Sequence, residues 1–210
     1  MIQPHLWRPR LYLVTPALAD PAAFTPALED ALAADDTAAV LLRLEAADER
    51  TLIDRARAIG VIVQRRDVAL VLDGHTELVA RAGADGAHLD GIAALTAAID
   101  NLKPDRIAGA GGLRSRHDAM LAGEAGADYV MFGEPNRAGG RPPFAAIEER
   151  IAWWAELFQP PCVGYAASLD EVAPLAQAGA DFIALGDWIW MQASPPAAVK
   201  AAAGRLAAPV

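Results

Sequence analysis

Gln177-Ala-Gly-Ala-Asp181 closes an Ala-rich amphipathic stretch and opens the apolar run Phe182-Ile-Ala-Leu185, and the same pattern recurs upstream as Glu124-Ala-Gly-Ala-Asp128 and Ala82-Gly-Ala-Asp85. Each copy reads as a helix C-terminus feeding a strand. Only glycine takes the left-handed backbone past a helix end without steric cost, so Gly83, Gly126 and Gly179 mark one corner built three times. Outward from these corners, β-rich runs alternate with helix-period segments. Strands are expected at 11–14, 39–43, 68–73, 86–89, 106–110, 129–133, 162–165 and 182–186, with helices near 21–34, 48–63, 75–83, 92–102, 115–125, 143–158, 168–178 and 196–207. Runs such as Val68-Ala-Leu-Val-Leu72 are apolar almost throughout, as strands covered on both faces are; with helix-length crossovers between them, they pair in parallel. Eight such units, short loops and no linker imply an α/β chain closed as a (β/α)8 TIM barrel, a single domain over 1–210. A doubly wound open sheet is the competing topology, but no G-x-G-x-x-G follows the first strand.

Composition agrees with a globular chain. At 210 residues, 54% hydrophobic and 21% charged, disorder and a coiled coil are excluded, and burial of roughly 70% of the unfolded surface supports a core without staples. The single Cys162 excludes an internal disulfide framework and any multi-cysteine metal site. Eighteen basic against 27 acidic residues leave a net charge of -9, which repels a phosphate backbone, so no nucleic-acid partner is expected. Met1 to Arg10, punctuated by Pro4 and Pro9, lack the apolar stretch of a signal peptide, and no uncharged apolar run reaches membrane-span length. A cytoplasmic protein with no membrane partner is the expectation.

A closed barrel presents its site at the carboxyl ends of its strands. Here those ends carry Arg43 and Glu45, Asp73 to His75, His88 and Asp90, Gly109 to Gly112, Gly133 with Glu134 and Asn136, Tyr165, and Gly186 with Asp187. The Arg43 guanidinium suits forked contact with a phosphate or carboxylate, or a salt bridge to Asp73 on the neighbouring strand. Asp73, Asp90 and Glu45 offer hard oxygen ligands for Mg2+, against which stands helix N-capping by the two aspartates. His88 is placed to pass protons or to serve as a hydrogen-bonded core imidazole, while His5 and His117 read as peripheral.

Backbone N–H groups of Gly109 and Gly111, within Ala108-Gly-Ala-Gly-Gly112, are open to an anion or are glycine for steric reasons alone. Asn136-Arg-Ala-Gly-Gly-Arg-Pro-Pro143 carries Arg137 and Arg141 on a loop suited to close on a polyanion or to lie in solvent. Barrels often seat a phosphate between the loops after strands seven and eight, here Gly164-Tyr-Ala-Ala-Ser168 and Gly186-Asp-Trp188, although Asp187 adds negative charge. Trp153, Trp154, Trp188 and Trp190 suit a stacking surface, core packing or the contact of a homo-oligomer.

The order of these motifs resembles thiamine-phosphate synthase and the related thiazole tautomerase, from about Leu11 to Trp190. Leu11-Tyr-Leu-Val-Thr15, Arg43, Ala84-Asp-Gly-Ala-His-Leu89 and Gly126-Ala-Asp-Tyr-Val130 leading to Gly133 carry the resemblance. It implies a (β/α)8 barrel that joins a pyrimidine methyl pyrophosphate to a thiazole phosphate, with Mg2+ assisting departure of pyrophosphate from a cation-like pyrimidine. Placed on this chain, it makes Arg43, His88, Arg137 and Arg141 the catalytic candidates and Asp73 and Asp90 the metal candidates. Gly109, Gly111, Gly164, Ala166, Ala167 and Gly186 become the phosphate-binding candidates.

The pattern also departs from the family. The Gln-x-Arg-x-Lys after strand two reads Leu41, Arg43 and Glu45, and the Asn-Asp pair after strand three falls on Asp73 and Gly74. The His-x-Gly-Gln-x-Asp after strand four falls on His88, Asp90, Gly91 and Ala93, so Asp90 lies three positions early. The Ser after strand five falls near Gly111. The Thr-x-Thr-Lys loop becomes Arg137-Ala-Gly-Gly-Arg141, and a Gly-Gly phosphate turn reads Ala166-Ala167. Three readings follow: a divergent synthase, a barrel that binds a phosphorylated or heterocyclic ligand without turnover, and a tautomerase-like isomerase with His75 or His88 moving the proton.

Overall fold

The computed structural model describes residues 8–136 and 138–206; expectations resting on Pro4, His5 and Arg137 lie outside the described residues. Eight strands alternate with eight helices. They are β1 (Arg10–Val14), α1 (Pro21–Ala34), β2 (Thr37–Leu42), α2 (Glu49–Gln64), β3 (Ala69–Asp73), α3 (Val79–Ala82), β4 (Gly86–Asp90) and α4 (Ile92–Leu102), followed by β5 (Ile107–Gly111), α5 (Arg116–Glu124), β6 (Tyr129–Phe132), α6 (Phe144–Leu157), β7 (Cys162–Ala166), α7 (Leu169–Gln177), β8 (Phe182–Leu185) and α8 (Pro195–Leu206). Every neighbouring pair is parallel, and β1 pairs with both β2 and β8, so the sheet closes into a barrel. The expected helix at 75–83 is shorter than its pattern. Gly74 and His75 both take positive φ, 71° and 45°, so a 3-10 turn at Thr76–Leu78 and then the single turn of α3 are all that fit before Gly83.

The repeat has a second physical reason beyond its glycines, which do take positive φ at Gly83, Gly126 and Gly179. Its aspartates staple strands together. The carboxylates of Asp85, Asp128 and Asp181 accept the backbone N–H of Leu70, Ala108 and Cys162, each at 2.7 Å. Their own N–H groups donate to the carbonyls of those same residues at 2.8–2.9 Å. Pairs β3–β4, β5–β6 and β7–β8 are thereby locked at the amino-terminal face, the end of such barrels that serves stability.

Side chains alternate across each strand, which makes two cores. Outward residues such as Leu13, Val40, Leu42, Leu70 and Leu72 pack under the helices, while Tyr12, Leu41, Val71, Tyr129, Met131 and Tyr165 fill the barrel. Full burial of each large aliphatic side chain contributes about 1.5–3 kcal/mol.

The four tryptophans are used within the chain. Trp154 is wholly buried, stacks on Phe158 at 4.2 Å between centroids and donates its indole N–H to Pro160 at 2.7 Å. Trp153 lies edge-on to Trp154, and the indoles of Trp188 and Trp190 donate to the carbonyls of Ala166 and Val14. These rings pack within the chain.

Candidate functional site

Strand parity decides what reaches the barrel mouth. Stepping by two from the interior residues Leu41 and Val71 brings Arg43 and Asp73 to the open end, where Asp187, two residues past the end of β8, joins them. Arg43 stands just past β2, its backbone N–H donating to the buried Thr15 hydroxyl at 3.0 Å. Its guanidinium lies 3.6 Å from Asp73 and 3.3 Å from Asp187, and the side chain keeps 22% exposure. Two flanking carboxylates therefore preorient the fork without sealing it. Burial pushes the Tyr165 phenol up from its ordinary range, with Arg43 drawing it part of the way back.

On the opposite arc a hydrogen-bonded chain crosses the interior. The Tyr12 and Tyr129 hydroxyls are 2.9 Å apart, Tyr129 is 3.0 Å from His88 Nδ1, and His88 Nε2 stands 3.8 Å from Glu134 Oε1. The His88 tautomer sets the direction of the chain: with the proton on Nε2, Nδ1 accepts from Tyr129 and Tyr129 from Tyr12. Glycines make room for this chain. A Cβ on Gly109 would stand 2.0 Å from Tyr129 Cζ, and one on Gly111 only 2.0 Å from Glu134 Oε1 and 2.3 Å from His88 Nε2. Burial pushes both phenols upward, so they remain neutral links. His88, with one ring nitrogen bonded and the other facing Glu134, sits behind the surface of the mouth as a support.

Several groups that read as phosphate donors are occupied by carboxylates of the chain itself. The Gly112 N–H, at the end of the glycine run, donates to Glu134 Oε1. The Ala167 N–H donates to Glu171 at 2.8 Å. Arg141 is a brace: its guanidinium holds both Glu171 oxygens at 2.8 and 2.9 Å and donates to the carbonyls of Gly133 and Tyr165 at 2.9 and 3.0 Å. Gly164 and Ala166 fall on the outward parity, buried against the helices, and Gly186 is bare because a Cβ there would stand 2.2 Å from the Tyr165 hydroxyl. Glu134 Oε2 is buried with no hydrogen-bond partner among the described residues. Such an acceptor costs about 1–3 kcal/mol.

Neither Asp73 nor Asp90 is a helix cap: α4 is capped by Gly91 and α3 by Leu78, which overturns that alternative. As metal candidates the two lean apart. Asp73 turns toward Arg43 on β2, while Asp90 Oδ1 lies over Gly112 beyond β5, and no cluster of three His, Cys, Asp or Glu side chains fit for a metal occurs among the described residues.

Sequence reasoning placed Glu134 at a strand end without giving it a role, and passed over Glu171, Tyr12 and Tyr129. Two signals were there to read. Ser168-Leu-Asp-Glu171 has the S-x-x-E spacing of a capping box, and both tyrosines occupy inward parity, Tyr129 beside β5 with its Gly109 and Gly111.

With this geometry in view, the comparisons are consistent. Residues 11–189 match the family model described as thiamine monophosphate synthase. A thiamine-phosphate synthase of Rhodospirillum centenum is 41% identical over 91% of this chain and 94% of its own length, and one of Hyphomonas neptunium is 38% identical over 91% and 90%. The solved thiamine phosphate pyrophosphorylase from Pyrococcus furiosus superposes with a TM-score of 0.76 at 20% identity, over 94% of this chain and 95% of that one, which speaks to the fold alone. The chain belongs to the thiamine-phosphate synthase family.

Proposed function

We propose that the protein is an enzyme joining a pyrimidine methyl pyrophosphate to a thiazole phosphate, with release of pyrophosphate. It acts in the cytoplasm as one (β/α)8 domain over residues 1–210 on small phosphorylated substrates. The C–O bond to pyrophosphate breaks as the pyrimidine methylene turns cation-like, and the thiazole nitrogen closes the new C–N bond. Arg43 is the observation that carries this reading: a half-buried guanidinium, preoriented at the mouth, at the position of the family's arginine. Its role is to hold the phosphate whose charge grows as the bond breaks, the kind of interaction whose loss costs roughly 10²–10³ in rate. Asp73 and Asp90, leaning to opposite neighbours, do not fit as a joint Mg2+ site, so no step is routed through that ion.

A second reading, ligand binding without turnover, is favoured by the occupation of the Gly112 and Ala167 N–H groups by Glu134 and Glu171. One experiment separates the two. The protein is mixed with both substrates and Mg2+, and pyrophosphate release is followed for the wild type and Arg43→Gln. Release that falls at least a hundredfold in the variant supports the synthase. Thermal stabilisation by the substrates without release selects the binder.

A further inference from the structure

We propose that Asp187 is an internal counter-anion of Arg43, a carboxylate that the phosphate of an incoming ligand must displace, so that it sets how tightly the mouth takes that phosphate. The two arginines Arg43 and Arg141 are held in different ways. Arg141 closes its fork on both oxygens of Glu171 at 2.8 and 2.9 Å and also donates to two carbonyls. Arg43 makes no such forked pair. Its Nη1 is 3.3 Å from Asp187 Oδ1, long beside the roughly 2.7–2.9 Å of a charge-assisted bond, and its Nε is 3.6 Å from Asp73 Oδ2, beyond hydrogen-bond range. A single long bond to a carboxylate thus stands where the guanidinium can donate a fork.

The two carboxylates beside Arg43 are not equivalent. Asp73 ends β3, where it pairs with His88 of β4, and meets the guanidinium on its Nε side; the sheet fixes it as an orienting group. Asp187 opens the 3-10 turn Asp187–Ile189 and meets the terminal Nη1, at the tip of the fork where the oxygens of a ligand would pair. The backbone of that turn is pinned. The Trp188 and Trp190 indoles donate to the carbonyls of Ala166 and Val14 at 3.0 and 2.7 Å, and Gln192 donates to the Trp188 carbonyl at 3.0 Å. The carboxylate itself is 52% exposed and bonded to Arg43 alone among the described residues. Exchange therefore needs only a side-chain rotation, and the released carboxylate turns into water, where it keeps its hydration. The proposal rests on the reading of Arg43 as the group that holds a phosphate.

The test titrates inorganic phosphate, at constant ionic strength and followed by phosphorus NMR, into the wild type, Asp187→Asn, Arg43→Gln and the double variant. Asp187→Asn is expected to bind about tenfold more tightly than the wild type, because no ion pair is broken and no like charge stands a few ångströms from the phosphate. Arg43→Gln binds at least about tenfold more weakly. The double variant matches Arg43→Gln, since without the guanidinium there is nothing to compete for. A salt bridge that only orients Arg43 predicts the opposite sign. Binding by Asp187→Asn that is unchanged, weaker or undetectable overturns the proposal. So does a double variant that gains over Arg43→Gln the same factor that Asp187→Asn gains over the wild type, the mark of net charge alone. Weakening in Arg43→Gln keeps the phosphate role of Arg43 whichever way Asp187→Asn falls, whereas unchanged binding in Arg43→Gln rejects that role and the exchange with it.

Discussion

Tyr129→Phe removes one hydroxyl from the middle of the interior chain, and the structure says what is left behind. That oxygen lies 2.9 Å from the Tyr12 hydroxyl and 3.0 Å from His88 Nδ1, and all three residues are buried. Without it, two buried polar groups lose a partner, each at about 1–3 kcal/mol, so a net loss of about 2–4 kcal/mol is expected. Tyr12→Phe is milder. Tyr129 keeps its hydrogen bond with His88, and the loss is about 0.5–1.5 kcal/mol. The double variant removes the hydroxyl that Tyr129→Phe orphaned, so its cost falls below the sum of the single costs by about 1 kcal/mol or more. Urea unfolding of the four proteins measures these differences, and thermal scans should place Tyr129→Phe roughly 4–16 °C below the wild type. If Tyr129→Phe costs no more than Tyr12→Phe, or if the two effects simply add, the chain is not a coupled network and the argument for it fails.

The remaining expectations concern titration and bracing. Tyr12, Tyr129 and Tyr165 are the three tyrosines of the chain, and burial pushes all three phenols up. Absorbance at 295 nm should therefore show tyrosinate forming later in the native protein than in the unfolded chain, whereas native ionisation coinciding with that of the unfolded chain would contradict the burial. Burial likewise raises the Cys162 thiol to about 12. The folded state then holds its proton more tightly than the unfolded state, so this contribution to stability is present below the unfolded thiol value of about 8.5 and is lost as the pH rises toward 12. At pH 8, iodoacetamide should label Cys162 only after denaturation, which intact-mass measurement decides. Arg141→Ala leaves Glu171 with only the Ala167 N–H, takes the guanidinium from the Gly133 and Tyr165 carbonyls, and should cost about 2–4 kcal/mol in urea unfolding. Arg141→Lys should recover little, because a single ammonium cannot reproduce the forked contact.

The barrel was legible because its signals are local. A glycine that must be left-handed, an apolar run covered on both faces and an amphipathic stretch each declare themselves within a dozen residues, and the eight units recur in the expected order. Where the reading overran, at the helix expected over 75–83, a positive-φ pair at Gly74 and His75 outweighed the periodic pattern. The candidate site was legible in part. Period-two alternation carries Arg43, Asp73 and His88 inward, but the occupation of the Gly112 and Ala167 N–H groups by Glu134 and Glu171 left no local trace beyond the Ser168 to Glu171 spacing.

By itself, then, the chain of residues determined the three glycine corners, the covered strands and the end of the barrel where polar groups gather. Only the tertiary structure decided which of those groups satisfy one another: Arg141 with Glu171, Arg43 between Asp73 and Asp187, and Glu134 held by Gly112 with one oxygen still free. The reason is physical. Backbone conformation answers to neighbours a few positions away, whereas charge and hydrogen-bond pairing depend on distances across the barrel between residues 22 to 144 positions apart.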